Sequence, residues 1–129
     1  MAKPTARKTL IKKLDKLSKK VVYLRDDWTC QRCGKNDGSD YQASHVIPVS
    51  AGNKLRWDTK NMKVLCYHCH LNWWHKNPME AAEWFAKTFP ERWEYLQDNR
   101  GMYKFTLTEL EELVKSLENQ LNELAGATS

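Results

Sequence analysis

Apolar residues recur every three or four positions in the first part of the chain, which is the spacing of one face of an α-helix. They are Leu10, Leu14, Leu17, Val21 and Leu24, and lysines occupy the other faces. The pattern predicts an amphipathic helix over residues 8–25, preceded by a disordered basic tail over residues 1–7.

A second helical stripe lies near the end of the sequence. Thr106 and Glu109 have the spacing of a capping box, and an apolar residue then recurs every three or four positions, at Leu107, Leu110, Val114, Leu117, Leu121 and Leu124. The stripe covers about two and a half heptads, fewer than a coiled coil usually has. We expect a homodimer through residues 106–124. The alternatives are packing on the same domain or against the basic N-terminal helix.

The middle of the chain has shorter elements. Strand-forming residues predict strands over 41–49 and Met62–Leu65, with a turn at Asn36–Ser39 between the first cysteines and the first strand. A helix follows from about residue 67 to 75. Asn77 before Pro78 is a helix start, which predicts a helix to about residue 88, and Pro90 begins another through residue 97.

The charge is distributed unevenly. The net charge is +5, but residues 1–25 contain nine basic residues and one acid, so the remainder of the chain is acidic overall. A basic helix of this kind predicts a contact with a polyanion such as DNA, although a solvated lysine face is an equal alternative. The candidate DNA-binding residues are Lys12, Lys13, Lys16, Lys19 and Lys20. The sequence has no apolar run of membrane-spanning length and no secretory signal, so we expect no membrane partner and a cytoplasmic location.

The cysteines form two C-x-x-C pairs, at Cys30 and Cys33 and at Cys66 and Cys69. In a reducing compartment this pattern predicts one tetrahedral, structural Zn²⁺ rather than disulfides. All four positions of that ion would be filled by thiolates, so a catalytic ion would need a different site.

Two histidines are candidates for chemistry. His45 ends the first predicted strand, and a neutral imidazole there could take a proton from water. His70 directly follows Cys69 and could bind a divalent ion beside a phosphate. His75 lies about 140° from His70 around an α-helix, so we expect a phosphate contact rather than a shared ion. We expect His68 at the surface.

These motifs together resemble a known family. Cys30-x2-Cys33, Ala43-Ser44-His45-Val46-Ile47-Pro48, Asn61 and Leu65-Cys66-x2-Cys69-His70 resemble an HNH endonuclease of the ββα-metal (His-Me finger) class, over residues 22–76. The segments Leu55-Arg56-Trp57-Asp58 and Trp84 to Leu96 are more specifically similar to phage recombination endonucleases of the NinG (Rap) type. The resemblance implies an α+β fold with a zinc-stapled ββα-metal core and flanking N- and C-terminal helices.

The resemblance also implies a role for each matching residue. His45 would be the general base, Asn61 would orient it, and His70 would hold a catalytic Mg²⁺ or Mn²⁺. Ser44 departs from the family pattern, because an Asp or His ligand usually stands there. The implied organisation is a basic tail and helix (1–25), the zinc-bound core (26–76), a helical extension (77–105) and the amphipathic C-terminal helix (106–129).

The expected function is therefore metal-dependent endonuclease cleavage of DNA that leaves 5′-phosphate and 3′-hydroxyl ends. The resemblance favours branched recombination intermediates, such as Holliday junctions or D-loops, in a phage-infected bacterial cell. Lys54, Arg56 and His75 are candidate phosphate contacts. Two alternatives stay open, namely a non-catalytic zinc-dependent DNA-binding module and an interaction adaptor that works through the C-terminal heptads.

Overall fold

Four α-helices surround a two-stranded antiparallel sheet in the computed structural model, which describes residues 3–37 and 40–127. The helices are α1 (Lys3–Arg25), α2 (Pro78–Thr88), α3 (Pro90–Asn99) and α4 (Leu107–Ala127). The strands are β1 (Gln42–His45) and β2 (Met62–Leu65), and a π-helical segment, His68–Trp74, follows β2. The predicted α+β class is confirmed. Residues 38 and 39 of the predicted turn lie outside the described residues.

The first helix begins earlier than predicted. The backbone is helical from Lys3, so a disordered tail over residues 3–7 is wrong, and residues 1 and 2 lie outside the described part of the chain. Arg7, in the segment predicted as a tail, donates a hydrogen bond to the Phe105 carbonyl just before α4, and further along the helix Leu10 and Ile11 pack against the cluster that contains Leu110. Tertiary packing, rather than helix propensity, supplies most of a helix's stability.

The apolar stripe of α4 packs on α1 of the same chain. Leu14 and Val21 of α1 form one buried cluster with Leu110, Val114 and Leu117, and Leu121 and Leu124 pack at its edge. The two helices run in the same direction, and Lys13 forms an ion pair with Glu118 at 3.8 Å. This is one of the alternatives that the sequence left open. The homodimer stays a prediction, and it would need faces of α4 that α1 leaves uncovered.

The helix starts were read correctly from the sequence, but one of the two caps works differently. The capping box of α4 is confirmed, since Glu109 N donates to Thr106 Oγ1 at 3.1 Å and Thr106 N donates to Glu109 Oε1 at 2.9 Å. At α2, the Asn77 side chain makes no capping hydrogen bond. Glu80 instead accepts a hydrogen bond from Trp73 Nε1, which ties α2 to the π-helical segment.

The first strand is shorter than the predicted 41–49. It ends at His45 because the Asn61 side chain hydrogen-bonds both the N–H and the carbonyl of Ile47, and because Pro48 has no N–H to donate to a neighbouring strand. Residues 46 to 61 therefore connect the two strands as a loop, whose Ile47 and Leu55 pack against Phe85 and Leu96, and Gly52 in this loop lies close to Gly101. A Cβ there would lie 2.6 Å from the Gly101 carbonyl oxygen, so the loop packs closely against the chain after α3.

No helix in the described part of the chain is long and apolar enough to cross a membrane.

Candidate functional site

The four cysteines converge on one point, as predicted. Their sulfur atoms all lie within 4.8 Å of one another, and Cys33 Sγ and Cys66 Sγ are 3.8 Å apart. A tetrahedral site with Zn–S bonds of about 2.3 Å separates its sulfurs by about 3.8 Å. The thiol set and its spacing therefore fit a structural Zn²⁺ held by Cys30, Cys33, Cys66 and Cys69.

A cation lies beside this cluster. Arg32 Nη1 is 3.7 Å from Cys69 Sγ, and its guanidinium carbon is 4.0 Å from the ring centroid of the buried Trp73. Four thiolates around one Zn²⁺ carry two net negative charges, so this guanidinium partly compensates them while stacking on the indole. Arg32 thereby joins the first C-x-x-C pair to the π-helical segment that contains Trp73.

Asn61 organises the loop that connects β1 to β2. Its side chain is 1% exposed, accepts a hydrogen bond from Ile47 N at 2.8 Å, and donates to the carbonyls of Ile47 and Leu55 at 3.0 and 3.2 Å. Breaking such a buried network leaves polar groups unsatisfied. Asn61 therefore fixes where the loop passes His45.

His45 is oriented by that loop. Its Nε2 lies 2.9 Å from the Arg56 carbonyl oxygen, so in the neutral ring Nε2 carries the proton and donates it, and Nδ1 keeps a free lone pair. Burial is the main influence on this imidazole and lowers its pKa, partly opposed by the Arg56 carbonyl. The arrangement favours a neutral imidazole at physiological pH, which is the form that can accept a proton.

His70 and His75 lie side by side, which the sequence reading missed. Their Nε2 atoms are 3.0 Å apart, and the helix between them is π-helical, with His75 N bonded to the His70 carbonyl. A π-turn bonds each residue to the one five positions earlier. The expected separation of about 140° assumed an α-helix, and it is wrong. Burial, and after it the charges of His75 and Lys63, lower the pKa of His70.

Ser44 faces a buried lysine. It pairs with Lys63 across the sheet, and Lys63 Nζ lies 3.1 Å from Ser44 Oγ, 3.2 Å from the His45 carbonyl oxygen and 3.1 Å from the ring centroid of Trp74. Lys63 is 0% exposed, and burial places its pKa well below the usual value. Ser44, where the HNH pattern that the sequence resembles usually has Asp or His, thus carries a hydroxyl that accepts a hydrogen bond from an amine.

Because Lys63 is buried, we expect the free energy of unfolding to increase with pH in the alkaline range. Its folded-state pKa is depressed, so the unfolded chain binds more protons between that pKa and about 10.4, and stability increases with pH by up to about 1.4 kcal/mol per unit. In urea unfolding from pH 7 to 10, Lys63→Met should remove this rise, whereas Lys60→Met, at an exposed lysine, should keep it. Equal pH slopes for wild type and Lys63→Met would contradict the prediction.

Three of the histidines line one groove. It has a volume of about 520 Å³, and its lining includes His45, His70 and His75. Ser44, Trp74 and Trp93 line it as well, and Lys19 of α1 lies at its rim. The sequence did not predict that Trp74 or Trp93 would line this groove. Trp93 lies on α3, which reaches the groove only through tertiary packing. Lys63 was also missed, although a lysine inside the apolar run Met62–Leu65 was a usable signal.

Of the three predicted phosphate contacts, only His75 lines the groove of the histidines. Lys54 lines other depressions, with Tyr95 and Phe105, and not the groove of the histidines. The Arg56 guanidinium is held by Asp15, with a closest distance of 3.0 Å, and it is the Arg56 carbonyl that meets His45. Phosphate contacts by Lys54 and Arg56 stay predictions, and His75 lies in the groove.

The five lysines predicted to bind DNA, Lys12, Lys13, Lys16, Lys19 and Lys20, are all exposed on α1. Lys19 lies at the groove, and Lys12 lies about two turns before it on the same face, while Lys13 is turned toward Glu118 on α4. The basic face therefore leads along α1 to the histidines.

The fold and the site define a small α+β protein with a four-cysteine cluster suited to zinc and a groove that contains three histidines. The family model described as Bacteriophage Lambda NinG protein matches residues 2–126, so the chain belongs to this phage family. No curated protein and no solved structure matches the chain.

Proposed function

We propose that this protein is a metal-dependent DNA endonuclease with an HNH, or ββα-metal, core. The observation that carries the proposal is the shared groove: the oriented imidazole of His45 and the adjoining imidazoles of His70 and His75 line one cavity. Strand β1 supplies His45, the π-helical segment supplies His70, and His75 follows that segment directly, while Cys69 of the zinc cluster lies next to His70. A zinc module that only folds would need none of the three.

The proposed reaction is hydrolysis of a phosphodiester by water. With Nε2–H donated to the Arg56 carbonyl, His45 Nδ1 accepts a proton from the attacking water. The water oxygen forms a bond to phosphorus, the bond from phosphorus to the 3′ oxygen breaks, and the departing 3′ oxygen takes a proton from a solvent water. The products carry a 5′-phosphate and a 3′-hydroxyl.

His70 and His75 would hold the catalytic Mg²⁺ or Mn²⁺ together, through their Nε2 atoms, with water and substrate oxygens completing its shell. Such an ion would neutralise charge on the phosphate and on the departing oxygen. The second imidazole compensates for Ser44, whose hydroxyl is taken by Lys63. Magnesium retains several waters readily, so few protein ligands are needed.

We further propose that the substrate is DNA, and in particular branched recombination intermediates in a phage-infected cell. The exposed lysines of α1 that lead to the groove support contact with the phosphate backbone. The phage family supports the setting. A homodimer would suit a two-fold symmetric junction.

One observation favours a second candidate, a zinc-dependent DNA-binding module without cleavage. Ser44 is a poor metal ligand, and Lys63 places an amine beside the position where the ion would be held. The adaptor alternative has less support, because the heptad stripe of α4 is used on α1.

The proposed function is tested with supercoiled plasmid and four-way junctions in Mg²⁺ or Mn²⁺. Ion-free controls should be prepared with a resin, since an added chelator would also remove the zinc. We expect His70→Ala to stay folded with its zinc and to lose cleavage, and His75→Ala to need more Mg²⁺ or Mn²⁺. His68→Ala, at an exposed histidine in the same segment, should behave as wild type. Absence of wild-type cleavage with intact junction binding would favour the binding module, and loss of zinc from His70→Ala would contradict two separate metal sites.

A further inference from the structure

The groove beside the histidines has a second, apolar wall that phosphodiester hydrolysis does not use. Ile47, Pro48, Trp74, Pro78, Ala82 and Trp93 line the groove together with the imidazoles. A phosphate backbone is charged and hydrated, so it makes no use of such a wall. The wall instead matches the flat, apolar face of a nucleobase next to a bound phosphate.

Trp93 is the side chain best placed to stack on a base. It lies on α3, is partly buried, and packs on one side against Phe85, with ring centroids 6.2 Å apart, while it lines the groove. Support from the core holds the indole in a defined position. Trp74 is less available, because Lys63 Nζ lies 3.1 Å from its ring centroid.

The rim of the groove supplies polar partners suited to a nucleotide. Lys19 and Arg100 are exposed cations that can contact the phosphates on either side of the base. Gln42 and Gln97 offer amides that can hydrogen-bond the base edge whichever base is present. The volume of about 520 Å³ is in the usual range for small-ligand pockets, so it admits one nucleoside and not a duplex.

We propose that this groove is a binding subsite for one unpaired nucleobase adjacent to the scissile phosphate, with Trp93 as its stacking surface. The inference deepens the proposed function and rests on it for the position of the phosphate. A base inside a duplex must be unstacked and unpaired before it can enter, whereas a base at a gap, a bulge or a single-stranded branch is already available. The subsite therefore selects DNA with unpaired nucleotides.

The test measures binding without cleavage. The zinc-loaded chain, without Mg²⁺ or Mn²⁺, is titrated into DNA that contains 2-aminopurine either at a single-nucleotide bulge or within a continuous duplex of the same sequence. We expect tighter binding of the bulged DNA and quenching of its fluorescence by stacking. Trp93→Ala should weaken binding of bulged DNA by about tenfold or more, with little effect on the duplex, and Trp93→Phe should retain most of the affinity.

Two further variants separate stacking from folding. Ala82→Phe, on the half-buried face of α2 that lines the groove, should block the base and cause the same loss while Trp93 stays in place. Trp28→Ala removes a tryptophan that is 50% exposed and stacked on Tyr23, outside the groove, and should change nothing. Equal affinity of wild type for bulge and duplex, or unchanged binding in both Trp93→Ala and Ala82→Phe, would overturn the subsite. Because no cleavage is measured, failure of the endonuclease proposal would leave these results intact, and cleavage without any bulge preference would remove only the subsite.

Discussion

His45→Ala is expected to lower DNA cleavage by about 10²- to 10⁴-fold, which is the usual contribution of a positioned general base. The expected loss follows from the geometry of the imidazole. Its Nε2 is occupied by the Arg56 carbonyl at 2.9 Å, so Nδ1 is the free proton acceptor and no other histidine is bound in the same way among the described residues. DNA binding and zinc content should be unchanged in this variant.

The pH dependence gives an independent check on the same residue. A base acts in its neutral form, and burial lowers the pKa of His45 below its usual 6.5. Cleavage should therefore hold between pH 7 and 6.5 and fall only as the pH drops further, through the lowered pKa. Initial rates from pH 4.5 to 8 with saturating Mn²⁺ measure this. Cleavage that survives in His45→Ala, or a rate that already falls between pH 7 and 6.5, would contradict the assignment of His45.

Removal of the zinc is expected to unfold the core. Structural Zn²⁺ sites of this kind contribute about 10–16 kcal/mol of apparent binding free energy at neutral pH, which is comparable with or larger than the stability of a small domain. A two-stranded sheet of four residues per strand cannot persist without support. Cys30, Cys66 and Cys69 are themselves buried members of the cluster that contains Leu65 and Trp73.

The measurement is far-UV circular dichroism and thermal unfolding, with zinc content determined on the same samples. Cys66→Ser and the chelated wild type should lose the cooperative transition of the core, while helix from α1 and α4 can remain. His68→Ala is the matched control, because His68 lies between Cys66 and Cys69 at an exposed position. This variant should retain its zinc and its unfolding transition. A chelated chain that unfolds at the wild-type temperature would refute a structural role for the ion.

Local sequence signals predicted most of the elements and the metal cluster. Apolar spacing identified α1 and α4, the helix-start signals at Asn77-Pro78 and Pro90 identified α2 and α3, and the Thr106 to Glu109 capping box placed the start of α4 within one residue. The two C-x-x-C pairs predicted four thiols at one point, and they converge as expected. Each of these signals depends on residues close together in the chain, or on a ligand set whose chemistry permits few other uses.

The signals failed where the outcome depended on distant partners. The residues before Lys8 read as a polar tail because the hydrogen-bond partner of Arg7, the Phe105 carbonyl, lies almost a hundred residues away in the sequence. The His68–Trp74 segment has ordinary helical residues, and its π-helical winding appears only in the folded chain, where Trp73 bonds Glu80 and Trp74 covers Lys63. That winding brings His75 to His70.

The sequence by itself therefore determined the α+β composition, the four cysteines suited to zinc and the identity of the three groove histidines, since periodicity, capping and ligand spacing are local properties. The tertiary structure alone decided how these histidines are used. Backbone carbonyls, such as that of Arg56, have no sequence signature, and neither does a wall built from Trp74 and Trp93 on different elements. Cross-strand register likewise joined Ser44 to Lys63. Long-range packing sets all three, because only packing determines which distant groups share a low-dielectric cavity.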